Sequence, residues 1–262
     1  MIKIQTLSSG SGGNITYVSD GMTNILIDVG LPLPAAVKRL RSAGIKPDDI
    51  SAILITHEHN DHICGVGDFI KKYGTKIFTH KKARRTLQRY TNATDDGMEE
   101  FDAPFNIGDI AVKFFPVPHD SELCLGYTFT SGTAVVGIAT DIGKMTEVII
   151  SHLSGCQIVV LESNHDNGKL SANTKYPPWL KRRVAGTLGH LSNMECGYTI
   201  AELCRHNTEQ VILAHLSEQN NSPNLAYTAV KEFLRSRNIH EGRDIFIDVA
   251  LQNQIGNLYT ID

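Results

Sequence analysis

Little in this chain marks it for a membrane, for secretion or for a bulk attraction to polyanions. No apolar run approaches the roughly 18 to 20 residues of a helical membrane span. Ile50–Ile55 and Thr133–Ala139 have strand length instead. The start, Met1-Ile-Lys-Ile-Gln-Thr, has no basic segment leading into a long apolar stretch, so no secretory signal is expected. The five cysteines (Cys64, Cys124, Cys156, Cys196 and Cys204) are odd in number, widely spread and without a CxxC pair. That argues against a disulfide framework and a thiolate zinc site, and for a reducing cytoplasm. Charge of one sign is scarce too: 25 basic and 28 acidic residues leave a net charge of −3, with no global field to draw the protein onto nucleic acid.

Locally the charges are sorted. Lys71, Lys72, Lys76, Lys81, Lys82, Arg84, Arg85 and Arg89 lie between Phe69 and Tyr90 with no acid among them, and Asp95, Asp96, Glu99, Glu100 and Asp102 follow. This pattern reads either as two solvated faces or as a patch that tracks phosphates.

The 262 residues, 41% hydrophobic and with 22 glycines, have the apolar share of a soluble globular protein. No repeat, low-complexity tract or long linker divides them, so one domain spanning 1–262 is expected. Strands are expected at Lys3–Leu7, Ile15–Ser19, Asn24–Asp28, Ile50–Thr56, Lys76–Thr79, within Glu99–Phe129, and at Thr133–Thr140, Gln157–Glu162, Val211–His215, Asp244–Ala250 and Ile255–Ile261. Helices are expected at Pro34–Ser42, Val66–Tyr73, Lys81–Tyr90, Lys144–Leu153, Pro178–Thr187, Met194–His206 and Pro223–Arg237. Strand runs in both halves, with helices interleaved, suit an α+β fold of two sheets packed face to face under helices.

The decisive segment is Ile53-Leu-Ile-Thr-His57-Glu-His59-Asn-Asp61-His62, an apolar strand running straight into an H-x-H-x-D-H cluster. Three imidazoles and a carboxylate on so short a loop cannot all reach one tetrahedral ion, but they can divide between two. More ligand types stand at strand ends: His119 after Phe114-Phe-Pro-Val-Pro, Asp141 after Val135-Val-Gly-Ile-Ala-Thr, and His215 after Val211-Ile-Leu-Ala. A carboxylate such as Asp141 can bridge two ions about 3.5–4 Å apart. Asp28, after Ile25-Leu-Ile, is placed to orient a ligand histidine from behind. Without a cation, burying such a cluster beside one strand would be costly.

In their order along nearly the whole chain, Asp28, the H-x-H-x-D-H loop, His119, Asp141 and His215 resemble the metallo-β-lactamase-fold hydrolases. That resemblance implies an αββα sandwich, two mixed sheets face to face with helices outside, and a dinuclear centre at one edge. It assigns His57, His59 and His119 to one ion, Asp61, His62 and His215 to the other, and Asp141 to the bridge. Two divalent ions, zinc, manganese or iron, suit these donors. Dizinc β-lactamases differ in carrying a cysteine where Asp141 stands, and flavodiiron proteins in the middle histidine.

Other segments bear on the substrate. Ser8-Ser-Gly-Ser11-Gly-Gly-Asn14 reads as a phosphate-binding loop, through Ser11 or Asn14, or as a plain glycine-rich hairpin. In Gly189-His190-Leu-Ser192-Asn193, Ser192 or Asn193 reads as an N-cap or a phosphate contact, and His190 as a phosphate clamp or proton donor to a leaving oxygen. His165, in Glu162-Ser-Asn-His165-Asp166, reads as a loop histidine or a substrate contact. Together these segments are similar to those of the YycJ (WalJ) type, a subgroup that resembles DNA exonucleases acting 5′ to 3′. The expected chemistry is phosphodiester hydrolysis by a metal-bound hydroxide, with Asp61 or Asp141 steering it. Lys71–Arg89 and Lys181, Arg182 and Arg183 would contact DNA phosphates without reading sequence. A small-molecule hydrolase (cyclic phosphodiester, thioester or lactone), an RNA-processing nuclease and an idle metal-bound regulator are the alternatives.

Overall fold

Alternation along the apolar strands sets the layers. In the computed structural model, which describes residues 1–262, Val159 and Leu161 pack among helices. Ile158 and Val160, on the opposite face of the same strand, pack against the other sheet. Ile53 and Leu54 divide in the same way. Each central strand is therefore covered on both faces, which is why it reads as an unbroken apolar run.

The first half supplies β1 (Ile2–Ser8), β2 (Ile15–Ser19), β3 (Asn24–Ile27), α1 (Leu33–Ser42), β4 (Ala52–Leu54), α2 (Asn60–Ile63), α3 (Val66–Tyr73), β5 (Lys76–His80), α4 (Arg84–Thr91) and β6 (Met98–Phe101). A meander follows: β7 (Phe105–Ile107), β8 (Ile110–Val117), β9 (Cys124–Ser131) and β10 (Ala134–Ala139). Then come α5 (Glu147–Leu153), β11 (Ile158–Glu162), α6 (Asn167–Ala172), α7 (Pro178–Val184), α8 (Asn193–Leu203), β12 (Gln210–Ala214), α9 (Pro223–Ser236), β13 (Phe246–Val249) and β14 (Tyr259–Ile261). The sheet orders are β14-β1-β2-β3-β4-β5-β6 and β13-β12-β11-β10-β9-β8-β7. This is the expected αββα sandwich, and no helix is long and apolar enough to cross a membrane.

The two sheets share one pairing pattern. In the first, the pairs from β14 to β3 are antiparallel and those from β3 to β6 parallel. In the second, the pairs from β7 to β10 are antiparallel and those from β10 to β13 parallel. Strands β3 and β4 in one sheet correspond to β10 and β11 in the other. Parallel strands end on a common edge, and it is past those ends that α/β sheets carry their chemistry.

Element boundaries move modestly from expectation. The helix expected from Lys81 starts at Arg84, after a turn closed by Ala83 N–H on the His80 carbonyl. The expected strand Ile50–Thr56 narrows to Ala52–Leu54, because Thr56 is drawn off to Asp28. Helix α6 was not expected; Asp166 caps it by accepting from Lys169 N–H.

A side-chain hydrogen bond joins β9 to the segment that follows β4, beside the backbone bond from Leu125 N–H to the Thr56 carbonyl. The buried Tyr127 hydroxyl donates to the Ile55 carbonyl at 2.6 Å. Tyr127→Phe removes that donor without opening a cavity, so stability in urea should fall by about 1–2 kcal/mol with the helical circular dichroism unchanged. A variant as stable as the parent would show that the bond contributes nothing.

Candidate metal centre

The site is built on strand ends. Past β4 the chain bends at Thr56 and again at Glu58, then makes the single turn α2, which carries Asp61 and His62. Asp28, just past β3 at φ 62°, holds this loop from beneath. It accepts Thr56 N–H and Thr56 Oγ, both at 2.8 Å, and His62 Nδ1–H at 2.7 Å. With Nδ1 committed, His62 Nε2 is the free nitrogen, the second-layer arrangement typical of a metal-bound histidine. Asp28 thus lies behind His62, with its carboxylate on the ring's Nδ1.

Two clusters form around Asp141, which is 1% exposed and sits at φ 60° past β10. His57, His59 and His119 make one, their ring centroids 4.5–5.0 Å apart. Asp61, His62 and His215 make the other: Asp61 Oδ2 lies 3.2 Å from His215 Nε2 and 3.4 Å from His62 Nε2. Asp141 reaches both, with its oxygens 3.3 Å from His62 Nε2, 3.5 Å from His215 Nε2 and 3.7 Å from His119 Nε2. Each set brings its ligand atoms within 4.8 Å of one another. His57 Nε2 and Asp141 Oδ2 are buried and hydrogen-bond to nothing in the protein. Orphaned buried polar atoms are rare and costly, and convergent imidazole and carboxylate lone pairs fit a pair of divalent cations.

A carboxylate that the sequence reading did not assign completes the site. Glu162, fully buried at the end of β11, accepts from Ile142 N–H at 2.6 Å, Leu191 N–H at 3.0 Å, His190 Nδ1 at 2.8 Å and His215 Nδ1 at 3.2 Å. Burial would raise its carboxyl, but His190 and these bonds outweigh that and hold it at about 2. The signal was there in Ile158-Val-Val-Leu-Glu162, a lone acid closing an apolar strand, the same signature as Asp28 and Asp141. His190 stacks on His215, with centroids 5.3 Å apart, and its side chain is 19% exposed. It joins the site at its open side, with Nδ1 3.6 Å from Asp141 Oδ1.

Of the other expected contacts, Asn14 joins the site from an unexpected side. Its Nδ2 reaches Asp61 Oδ2 at 3.3 Å and His62 Nε2 at 3.2 Å, and Ser9 Oγ accepts His215 N–H at 2.8 Å. The glycine-rich loop therefore braces the Asp61, His62 and His215 cluster. Gly30 lets it do so: a Cβ there would lie 1.7 Å from the Asp61 carbonyl oxygen. Ser11 is exposed at the tip. Ser192 caps α8 in a reciprocal box with Glu195, and Asn193 is buried against Ser163 and Asn221. His165 is buried outside the cluster, and its Nδ1 has no partner. The basic stretch and the acidic one that follows it pair with each other: Lys76 with Glu99, Lys81 with Asp102, and Arg84 with Asp95 and Glu100.

Residues 23–216 match the family model described as the beta-lactamase superfamily domain. The chain belongs to that superfamily. Solved structures share the fold at low identity: YhfI of Bacillus subtilis, a metallo-beta-lactamase fold protein, at a TM-score of 0.74 and 15% identity, covering 98% of this chain and 100% of that one. Zn(2+)-bound PqqB of Methylobacterium extorquens follows at 0.72 and 13%, covering 97% and 99%. The chain is 31% identical over 244 residues to exodeoxyribonuclease YycJ of Bacillus anthracis, covering 92% of each. It is also 31% identical over 247 residues to exodeoxyribonuclease WalJ of Streptococcus pneumoniae serotype 2 (strain D39 / NCTC 7466), covering 92% of this chain and 91% of that protein. As a superfamily member with these ligand clusters, the protein is a metal-dependent hydrolase.

Left to the protein's own charges, His62 and His215 hold protons. Burial would lower both, but Asp141 with Asp28 raises His62 to about 10, and Asp141 with Asp61 and Glu162 lifts His215 well above its ordinary value. A metal needs those lone pairs, so binding near pH 7 must expel protons and affinity must fall as pH falls. Calorimetric titration in buffers of different ionisation enthalpy should show proton release; heats independent of buffer would contradict this. Asp28→Ala should weaken metal binding by roughly 10- to 100-fold, measured by competition with a chromophoric chelator. Unchanged affinity would mean that Asp28 orients nothing.

Proposed function

We propose that this hydrolase is a dinuclear phosphodiesterase, a DNA exonuclease running 5′ to 3′. The reading is carried by one observation: the likeness to two named exodeoxyribonucleases extends over 92% of the chain. The direction follows the resemblance to the YycJ (WalJ) type. His57, His59 and His119 would hold one ion, Asp61, His62 and His215 the other, with Asp141 between them. Zinc, manganese or iron suits such donors. When bound, the ions supply Lewis acidity toward phosphoryl oxygens and water.

The chain's own residues do the rest. Asp61, whose side chain is 27% exposed, is the open acid of the cluster and accepts a hydrogen bond from the attacking water. Asp141 is too deeply buried to meet the substrate directly and acts by holding the two clusters together. His190, with Nδ1 fixed on Glu162, keeps Nε2 free at the mouth. Burial would lower its pKa, but Glu162 outweighs that and raises it, which favours the protonated ring as the donor to the leaving oxygen. The near balance of charge leaves affinity to local phosphate contacts, which carry no sequence preference. The cysteines stand free, which suits work in the cytoplasm.

Metal-loaded protein should release label from 5′-labelled linear DNA progressively, and a chelator or His59→Ala should stop it. His190→Ala should lower kcat by on the order of 10²- to 10⁴-fold. Intact DNA alongside turnover of bis-p-nitrophenyl phosphate would overturn the nuclease reading and leave a small-molecule phosphodiesterase on the same core.

A further inference from the structure

From Asn167 to Met194 the chain carries Lys169, Lys175, Lys181, Arg182 and Arg183 and not one acidic residue. This segment forms a wall of the metal centre. The Leu188 carbonyl accepts Asp120 N–H at 3.0 Å, the Gly189 carbonyl lies 3.1 Å from His119 Nδ1, and the Val184 carbonyl at the end of α7 accepts His190 N–H at 2.8 Å. Helix α7 is thus tied at its last residue to the proton-donor histidine. Val184 points inward. Trp179, Arg182 and Arg183, spaced i, i+3 and i+4, share an outer arc of the helix, and all three are exposed.

Several features of this segment are unexplained by folding. Trp179, the sole tryptophan of the chain, is 61% exposed, and Leu188 beside the site is 53% exposed. A large aromatic so placed adds nothing to the core. Arg182 forms no ion pair or side-chain hydrogen bond, while Arg183 meets a single acid, Asp120, at 2.5 Å, next to His119 in sequence. In the Lys71–Arg89 stretch, Lys76, Lys81 and Arg84 are paired with neighbouring acids. An unpaired guanidinium, Arg182, and a singly paired one, Arg183, beside an exposed indole next to a phosphodiesterase centre match the chemistry of a nucleic-acid strand. Phosphates meet the cations and a base stacks on the ring.

We propose that the outer face of α7 is the strand platform of this enzyme, with Trp179 stacking a base of single-stranded DNA and Arg182 and Arg183 holding its phosphates. The inference rests on the nuclease reading and goes beyond it by naming where the strand runs. Because Trp179 is the sole tryptophan, its fluorescence reports the platform alone. The probe is a short phosphorothioate oligo(dT), which resists hydrolysis, labelled with fluorescein at its 3′ end and titrated against metal-loaded protein. Binding, followed by anisotropy, should be accompanied by quenching of the tryptophan emission. Trp179→Ala should weaken binding by roughly 5- to 100-fold while leaving turnover of bis-p-nitrophenyl phosphate unchanged. Arg182→Ala should lower the slope of log affinity against log salt by about 0.7. Binding with unchanged tryptophan emission, and equal affinity in Trp179→Ala, would overturn the platform and leave the nuclease reading standing. No anisotropy change at any concentration would overturn both.

Discussion

A buried carboxylate survives only where positive charge comes to meet it, and four imidazoles converge on Asp141. His62, His119, His190 and His215 all lie within 3.7 Å of its oxygens, and Asp141 itself is 1% exposed. Burial would push its carboxyl up, but the surrounding histidines outweigh that and hold it well down. The anion in turn keeps two sets of rings facing one point from opposite sides. Every other part of the centre serves to deliver a ring to this anion at the correct nitrogen. Asp28 does so for His62, Glu162 for His215 and His190, and the Gly189 carbonyl for His119.

The two sheets explain how so many groups reach one place. Both change from antiparallel to parallel pairing at their middle strand, and both place an acid just past that strand, Asp28 after β3 and Asp141 after β10. Each acid adopts a left-handed conformation, as His215 does past β12 at φ 53°. Asp and His enter that region more readily than most side chains, but the conformation still costs on the order of 1–3 kcal/mol and persists only where the surroundings impose it. Ser9 Oγ on the His215 amide and Asn164 on the His215 carbonyl, at 2.8 Å each, supply that constraint.

Much of this was legible in the sequence because ligands close apolar strands. Ile53-Leu-Ile, Ile25-Leu-Ile and Val211-Ile-Leu-Ala announce strands, and the His or Asp that follows cannot stay buried alone. Glu162 carries the same mark and was passed over because no spacing tied it to the H-x-H-x-D-H loop; only the parallel register of β10, β11 and β12 sets it between His190 and His215. The double use of Ser9 and Asn14 was hidden for a related reason. Nothing local shows that a hairpin at the N-terminus lies against Asp61 and His215, contacts that span dozens to hundreds of positions. The pairing of the basic stretch with the acidic one depends likewise on β5 and β6 being neighbours in parallel.

The central claim is that one carboxylate, Asp141, joins two metal sites. Anomalous diffraction from zinc- or manganese-loaded crystals tests it most directly. Two peaks per chain, one against His57, His59 and His119 and one against Asp61, His62 and His215, with Asp141 touching both, is the result this account predicts. A single peak, or two peaks that Asp141 does not join, would contradict it.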